Sequence, residues 1–187
     1  RAGRGRRGNA WESIEGNVFL SLILRPDAAP QEAAQLSFVA AVTIGDLVAN
    51  LLPECTVQLK WPNDVLCEGK KISGILLEAG PSSAAGIKWL IVGIGLNVAG
   101  KPSSRTDATS LKDEGDQTSG AENVIADFCE RFLAWYRTWQ KDGFGTIRAA
   151  WLTRAHGLAG PIRIRLQRET VDAIFDGVDE TGALLAQ

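Results

Sequence analysis

Apolar positions along the chain fall into blocks whose spacing switches between strand and helix. Residues 17–24 form an apolar run short enough to be a buried strand that starts a sheet. From Pro30, the residues Leu36, Val39, Thr43, Ile44, Leu47, Val48 and Leu51 recur at helical spacing until Pro53, which predicts one amphipathic helix lying on that sheet. Val57, Leu59 and Trp61 alternate as in a strand, Glu68-Gly69-Lys70 reads as a turn, and residues 72–78 return as an apolar strand. A further run over 89–98 carries Gly93 and Gly95 on one face, where missing side chains let a ligand lie against the backbone. Residues 100–119 are polar, contain Pro102 and read as a mobile surface loop. Val124, Ile125, Phe128, Phe132, Trp135, Tyr136 and Trp139 then follow helical spacing, an aromatic stripe that reads as core, and a shorter helix is expected over 147–153. Beyond Gly160 the pattern changes to short alternating runs with a turn at Asp179-Glu180-Thr181-Gly182, the start of a small β module that stops before it can close. The expected fold is α/β (α+β): a mixed sheet backed by helices over residues 1–157, followed by a partial β domain over 158–187.

Composition narrows the classes. With 45% hydrophobic and 22% charged residues in a chain of 187, a sizeable core is affordable and global disorder is excluded. A net charge of −2 provides no basic field to recruit nucleic acid. Cys55, Cys67 and Cys129 are odd in number and lack metal-ligand spacing, and with the single His156, expected as a cap or surface residue, they argue against a zinc site or a disulfide framework and fit a reducing cytoplasm. No apolar run approaches the roughly 20 residues of a membrane span, so no membrane role is expected. A chain without methionine that begins at Arg1 reads as a piece of a longer polypeptide.

Against this acidic background stands Gly3-Arg4-Gly5-Arg6-Arg7-Gly8, followed by Trp11. Glycines let such a loop approach a ligand closely, and arginines offer permanently charged, bidentate hydrogen bonds to phosphate or carboxylate. Taken alone, the run is equally a solvated or RNA-binding arginine-glycine segment. Other candidate positions are Lys60-Trp61-Pro62-Asn63-Asp64, the run from Lys71 through Gly74 to Glu78, and Gly93-Ile94-Gly95-Leu96-Asn97. Individually each has a plain reading: strand-end lysines, turn-forming Asn63 and Asp64, a strand-end Asn97, and glycines too few for a dinucleotide fingerprint.

Together, in this order and spacing, the four elements resemble the catalytic domain of biotin protein ligases over roughly residues 1–115, and more weakly the SH3-like C-terminal domain of that family. The resemblance implies a class II aminoacyl-tRNA-synthetase-like biotin/lipoate ligase fold. It implies ATP-dependent formation of biotinyl-5'-AMP and transfer of biotin to a lysine of a biotin carboxyl carrier protein, with ATP, Mg2+ and biotin as ligands. On this pattern Arg6 and Lys71 are the catalytic cations. Gly3, Arg4, Gly5, Arg6, Lys71, Gly74, Gly93 and Gly95 border biotin; Arg6, Trp11, Asn63, Lys71 and Asn97 serve ATP; the metal ligands are left unassigned. The chemistry needs such residues, because a carboxylate attacking an α-phosphate brings two anions together and fixed positive charge must offset their repulsion. Positioning then carries much of the rate, and an ordering loop shields the mixed anhydride from water.

The sequence departs from the family pattern at Asn9, where an arginine is usual, which implies weaker nucleotide affinity. Arg1 stands where a small or polar residue is common. The family's Ser-Thr-Asn motif lies outside the chain, and the segment alone is expected to bind biotin poorly. Two rival readings remain open: a lipoate or octanoate ligase or transferase, and a non-catalytic biotin sensor or transcriptional repressor, the latter needing a helix-turn-helix domain upstream to engage nucleic acid. Homodimerisation is left open.

Overall fold

The computed structural model describes residues 3–5, 10–83, 86–165 and 169–187. In chain order it contains β1 (Gly3–Arg4), β2 (Ala10–Trp11), β3 (Val18–Leu24), α1 (Pro30–Ala34), α2 (Leu36–Leu51), β4 (Val57–Lys60), β5 (Asp64–Cys67), β6 (Lys70–Ala79), β7 (Ser82–Ser83), β8 (Gly86–Ile87), β9 (Leu90–Leu96), α3 (Ala121–Asp142), α4 (Phe144–Leu152), β10 (Pro161–Arg165), β11 (Thr170–Val178) and β12 (Leu184–Ala186). A five-stranded sheet in the order β3-β9-β6-β5-β4 is backed on one face by helices.

The fold class is the expected one, with a difference in the sheet. Where a mixed sheet was expected, every ladder in it is antiparallel, and parallel geometry is confined to single bridges at Leu59↔Ala155 and Lys71↔Ala108. The cause is connectivity. Tight turns join β4 to β5 and β5 to β6, which imposes antiparallel pairing. The one long helical crossover, α1 with α2, carries the chain from one sheet edge to the other, so β3 and β4 run the same way without touching. The β5–β6 turn uses left-handed backbone at Glu68 (φ 50°) and Gly69 (φ 72°).

The single helix expected from Pro30 to Pro53 is broken at Gln35. Glu32 closes the first piece by accepting the Ala29 N–H at 3.1 Å, and the Gln35 carboxamide oxygen is drawn off to accept from Trp139 Nε1 at 2.9 Å. Residues 30–51 are, contrary to the expectation, long and apolar enough to cross a membrane by composition, with 61% of the critical window buried inside the protein. Here the explanation is the core: α2 is apolar nearly all round because it is covered nearly all round, with Leu36, Ile44 and Leu47 at 0% exposure. Gly45 lets this helix close on the sheet, since a methyl carbon there would lie 3.2 Å from Leu59 Cδ2. One polar side chain fastens it from the other side. Asp46 accepts from Trp135 Nε1 of α3 at 2.8 Å and from Arg154 Nη1 at 2.5 Å.

The aromatic stripe of α3 is core as expected: Val124, Phe128 and Phe132 are buried, and Phe128 and Phe132 stack at 5.6 Å. The segment 100–119 departs from its expectation as a mobile surface loop. Ala108, Thr109, Ser110 and Leu111 are buried in its middle, because its backbone bonds to the start of β6 and the end of β9: Lys71 N–H donates to Asp107 O, Thr109 N–H to Lys71 O and Leu111 N–H to Asn97 O. At the C-terminus β10, β11 and β12 form an antiparallel sheet that shares the core rather than hanging from it. Phe175 packs edge-on to Trp151, Arg148 Nε donates to Val178 O at 2.6 Å, and Trp61 Nε1 donates to Gly182 O at 3.1 Å.

Candidate active site

Helices cover one face of the five-stranded sheet, and the other face carries the site. Strand alternation sends Val92, Ile94 and Leu96 of β9 into the core and leaves Gly93 and Gly95 facing outward. Register then aligns Lys60, Asp64, Gly74, Gly95 and Phe19 in one row across all the strands, β4 to β3. The neighbouring row is Leu76, Gly93 and Ser21. Two rows with glycines at their centres make a shallow floor walled by side chains on either side.

Trp11 lies on that floor. The β1–β2 ribbon pairs Gly3 with Trp11 and Arg4 with Ala10, and Trp11 reaches the sheet from it. A methyl carbon on Gly95 would lie 2.5 Å from Trp11 Cε2, and one on Gly74 2.7 Å from Trp11 Cζ3, so the indole sits where any other residue would place its side chain. At Gly93 the only close described neighbours belong to Leu76, at 3.3 Å, and the ring does not reach. The indole Nε1 is buried with no hydrogen-bond partner among the described residues.

Lys71 arches over the same floor. Its ammonium is 2.5 Å from Asp64 Oδ1 and 5.4 Å from the Trp11 ring centroid, and it would crowd a methyl on Gly74 at 3.2 Å. Its side chain is 21% exposed, so the charge is partly desolvated yet reachable. Two further cations, Arg4 and Arg105, are also matched to carboxylates. Arg4 Nη2 stands 3.2 Å from Glu78 Oε1 on the surface, a pair worth about 1 kcal/mol or less. Arg105 grips Asp107 with Nε and Nη2, and this hydrogen bond holds the Asp107 carboxyl below its ordinary value, with Lys71 adding to the effect. An arriving anion therefore meets cations already aimed and exchangeable from their carboxylates.

The two asparagines do visible structural work. Asn63 Nδ2 donates to Ile75 O at 2.7 Å, while the Ile75 N–H donates to Asn63 O, tying the cis Trp61–Pro62 turn to β6. Asn97 is 3% exposed and donates to Thr109 O at 2.8 Å; Asn17 donates to its Oδ1 at 3.4 Å. Asn17 Oδ1 in turn accepts from the N–H groups of Val98, Ala99 and Gly100, fixing the end of β9. His156 is half-buried beside Gln58 rather than on the open surface. The structure thus brings Gly3, Arg4, Trp11, Lys71, Gly74, Gly93 and Gly95 to one face, with Gly5 directly after β1 and Asn63 and Asn97 at its border. Arg6, the leading catalytic arginine, and Asn9 lie outside the described residues. Sequence reasoning missed Asp64, taken as structural, and Arg105, Asp107 and Thr109 on the supposed surface loop. No local pattern in the sequence marks them.

Comparison with known proteins meets this geometry. The profile of the biotin/lipoate A/B protein ligase family matches residues 9–153. The biotin–[acetyl-CoA-carboxylase] ligase of Paracoccus denitrificans is 39% identical over 98% of this chain and 79% of its own length. The chain belongs to the biotin protein ligase family. The bifunctional ligase/repressor of Bacillus subtilis is 36% identical across the whole chain, which spans 58% of that protein. Among solved structures, the biotin protein ligase of Aquifex aeolicus in complex with biotin and ATP superposes with a TM-score of 0.84 at 26% identity, over 98% of this chain and 76% of the other.

Proposed function

We propose that this chain is the catalytic part of an ATP-dependent biotin protein ligase, in which residues 1–157 form the ligase domain and 158–187 part of an SH3-like β domain. The observation that carries the reading is the Lys71 ammonium held over a floor of paired glycines, Gly74 and Gly95, closed from above by Trp11. Biotin, a folded bicycle on an aliphatic tail, needs such a backbone floor for that tail, and its carboxylate needs a cation at the end of it.

Trp11 lifts from the glycines, the tail takes its place against them, and the ring closes over the tail. Lys71 exchanges Asp64 for the biotin carboxylate and the α-phosphate of ATP, with Arg4 and Arg6 of the loop supplying further positive charge and Asn63 and the Asn97-held segment bordering the nucleotide. A carboxylate oxygen attacks the α-phosphorus, the bond to the bridging oxygen of the β-phosphate breaks, and pyrophosphate leaves. The ε-amine of a carrier lysine then attacks the carbonyl of the mixed anhydride and AMP departs.

In the ligand-free chain Asp64, Glu78 and Asp107 each face a cation. Mg2+ would arrive with the nucleotide and would offset the charge of its phosphates. The partner is a biotin carboxyl carrier domain in the cytoplasm; a repressor role belongs to sequence beyond this chain.

The test is to incubate the protein with ATP, Mg2+, biotin and a biotin carboxyl carrier domain and weigh the carrier by mass spectrometry. One biotinyl group on one lysine is expected. Labelling by lipoate or octanoate in place of biotin moves the assignment to the sister ligases, and adenylate formed without transfer marks a sensor.

A further inference from the structure

Away from the sheet's open face, the β4–β5 hairpin and the segment after Ser110 converge on two thiols and a carboxylate. Cys55 precedes β4, Cys67 ends β5, and Glu114 closes a turn in which its N–H donates to Ser110 O at 3.1 Å. One donor atom from each, the two Sγ atoms and a carboxylate oxygen, all lie within 4.8 Å of one another. The spacing along the chain argues against a zinc site, but the fold undoes that spacing. Val57 pairs with Cys67, the Glu68 N–H donates to Thr56 O at 3.0 Å, and the Glu68 carboxylate accepts from the Thr56 N–H, which fixes both cysteines on one end of the hairpin.

We propose that Cys55, Cys67 and Glu114 form a binding site for a thiophilic divalent cation of the Zn2+ class, which clamps the 107–116 segment to the β4–β5 hairpin. Thiolates select zinc-like ions over magnesium or calcium, and two sulfurs with one carboxylate leave a fourth, tetrahedral position for water. With metal–ligand bonds of about 2.0–2.3 Å, tetrahedral donors stand roughly 3.5–3.8 Å apart, so the present cluster needs to contract by about 1 Å at most. Cys67 is fully buried while Cys55 and Glu114 are half-buried, which puts the open position toward solvent. The carboxylate is already oriented, because Thr109 Oγ1 donates to Glu114 Oε1, the outer contact a metal-bound carboxylate needs. On binding, the two thiol protons pass to solvent as two sulfur–metal bonds form, and no electron is transferred.

The clamp has a consequence for the site. Glu114 is the far end of the segment whose Asp107 and Thr109 pair with Lys71 and whose Thr109 and Leu111 pair with Asn97. The cation braces the wall behind both residues.

The experiment titrates the reduced full chain with Co2+, reads the thiolate-to-cobalt charge-transfer absorption, displaces Co2+ with Zn2+, and follows thermal unfolding with and without Zn2+. One Co2+ per chain is expected, with Zn2+ raising the unfolding midpoint. Cys67 lies in the core, so Cys55→Ser and Glu114→Gln, at half-buried positions, carry the test. Each should weaken Co2+ binding at least about tenfold and abolish the Zn2+ shift, while Cys129→Ser, on the exposed face of α3, changes neither. Absence of the band in the folded wild-type chain overturns the proposal, as does a band undiminished by Cys55→Ser. A metal-free protein isolated two hydrogens light, with Cys55 and Cys67 joined as a disulfide, overturns it equally.

Discussion

Replacing Gly95 by alanine asks whether the glycine floor is a ligand surface or merely a place where a strand tolerates small residues. The new methyl would stand 2.5, 2.7 and 2.8 Å from three atoms of the Trp11 indole. Carbon contacts settle at about 3.5–4.0 Å, so the ring, or any ligand lying in its place, must retreat by roughly 1 Å. Overpacking of this kind costs about 1–3 kcal/mol, which as a binding penalty is about 5–150-fold in Kd. The backbone raises no objection, since Gly95 does not have positive φ, and alanine in a strand recovers roughly 0.5–1 kcal/mol of chain entropy relative to glycine. Biotin affinity should therefore fall by about one to two orders of magnitude, and the free chain should lose no more than about 1–3 kcal/mol of stability as the indole retreats. Isothermal titration with biotin, paired with thermal unfolding, reads both. Gly69→Ala is the control: its φ of 72° in an open turn makes it destabilising, by about 1 kcal/mol, with no effect on biotin. A Gly95→Ala protein whose biotin Kd stays within about twofold of wild type, or rises no further than that of Gly69→Ala, refutes the floor.

Lys71→Met removes the ammonium shared between carboxylate and phosphate; pyrophosphate release should slow by about 100- to 1,000-fold, measured at saturating substrates, with circular dichroism unchanged. Gly182→Ala meets two obstacles, a φ of 89° and a methyl 2.7 Å from Phe38 Cε2. It should cost about 1–3 kcal/mol in denaturant unfolding, and no loss there would mean that the C-terminal sheet is not seated on α2 as described. Burial, followed by Lys60, holds the His156 imidazole below its ordinary value, so the unfolded chain takes up that proton first. The stability tied to a neutral His156 is full above pH 6.5 and drains as the pH falls through the lower folded value. Wild type should thus lose more of its thermal midpoint between about pH 7.5 and about pH 5.5 than His156→Gln does; equal losses would remove His156 from the account.

Strands and helices were legible because their periodicity is local. Leu90 to Leu96 alternates in a way that only a strand with one buried face explains, and the α3 stripe could hardly be anything but core. The glycines were legible as absences, Gly93 and Gly95 on one face, but their pairing with Gly74 and Leu76 depends on register, and the bulge at Val65/Leu66 that sets β6 against β5 leaves no mark in composition. The 100–119 segment was misjudged for a different reason. Thr109 and Ser110 are polar residues buried where Thr109 and Leu111 make backbone hydrogen bonds to Lys71 and Asn97, partners more than ten residues away that no local pattern announces. The same long-range closure hid the Asp64–Lys71 pair, the Cys55–Cys67–Glu114 cluster and the docking of Gly182 under Trp61. The resemblance to biotin ligases bridged part of this gap, since a motif carries its three-dimensional partners with it.

The central claim is that Lys71 and the glycine floor serve to activate biotin at the expense of ATP. The most direct measurement is pyrophosphate release by the full-length protein with ATP and Mg2+, offered biotin, lipoate and octanoate in separate reactions. Release with biotin alone, lost in Lys71→Met, is the predicted result. Release with lipoate or octanoate but not biotin, or release with biotin that is indifferent to Lys71→Met, would contradict it.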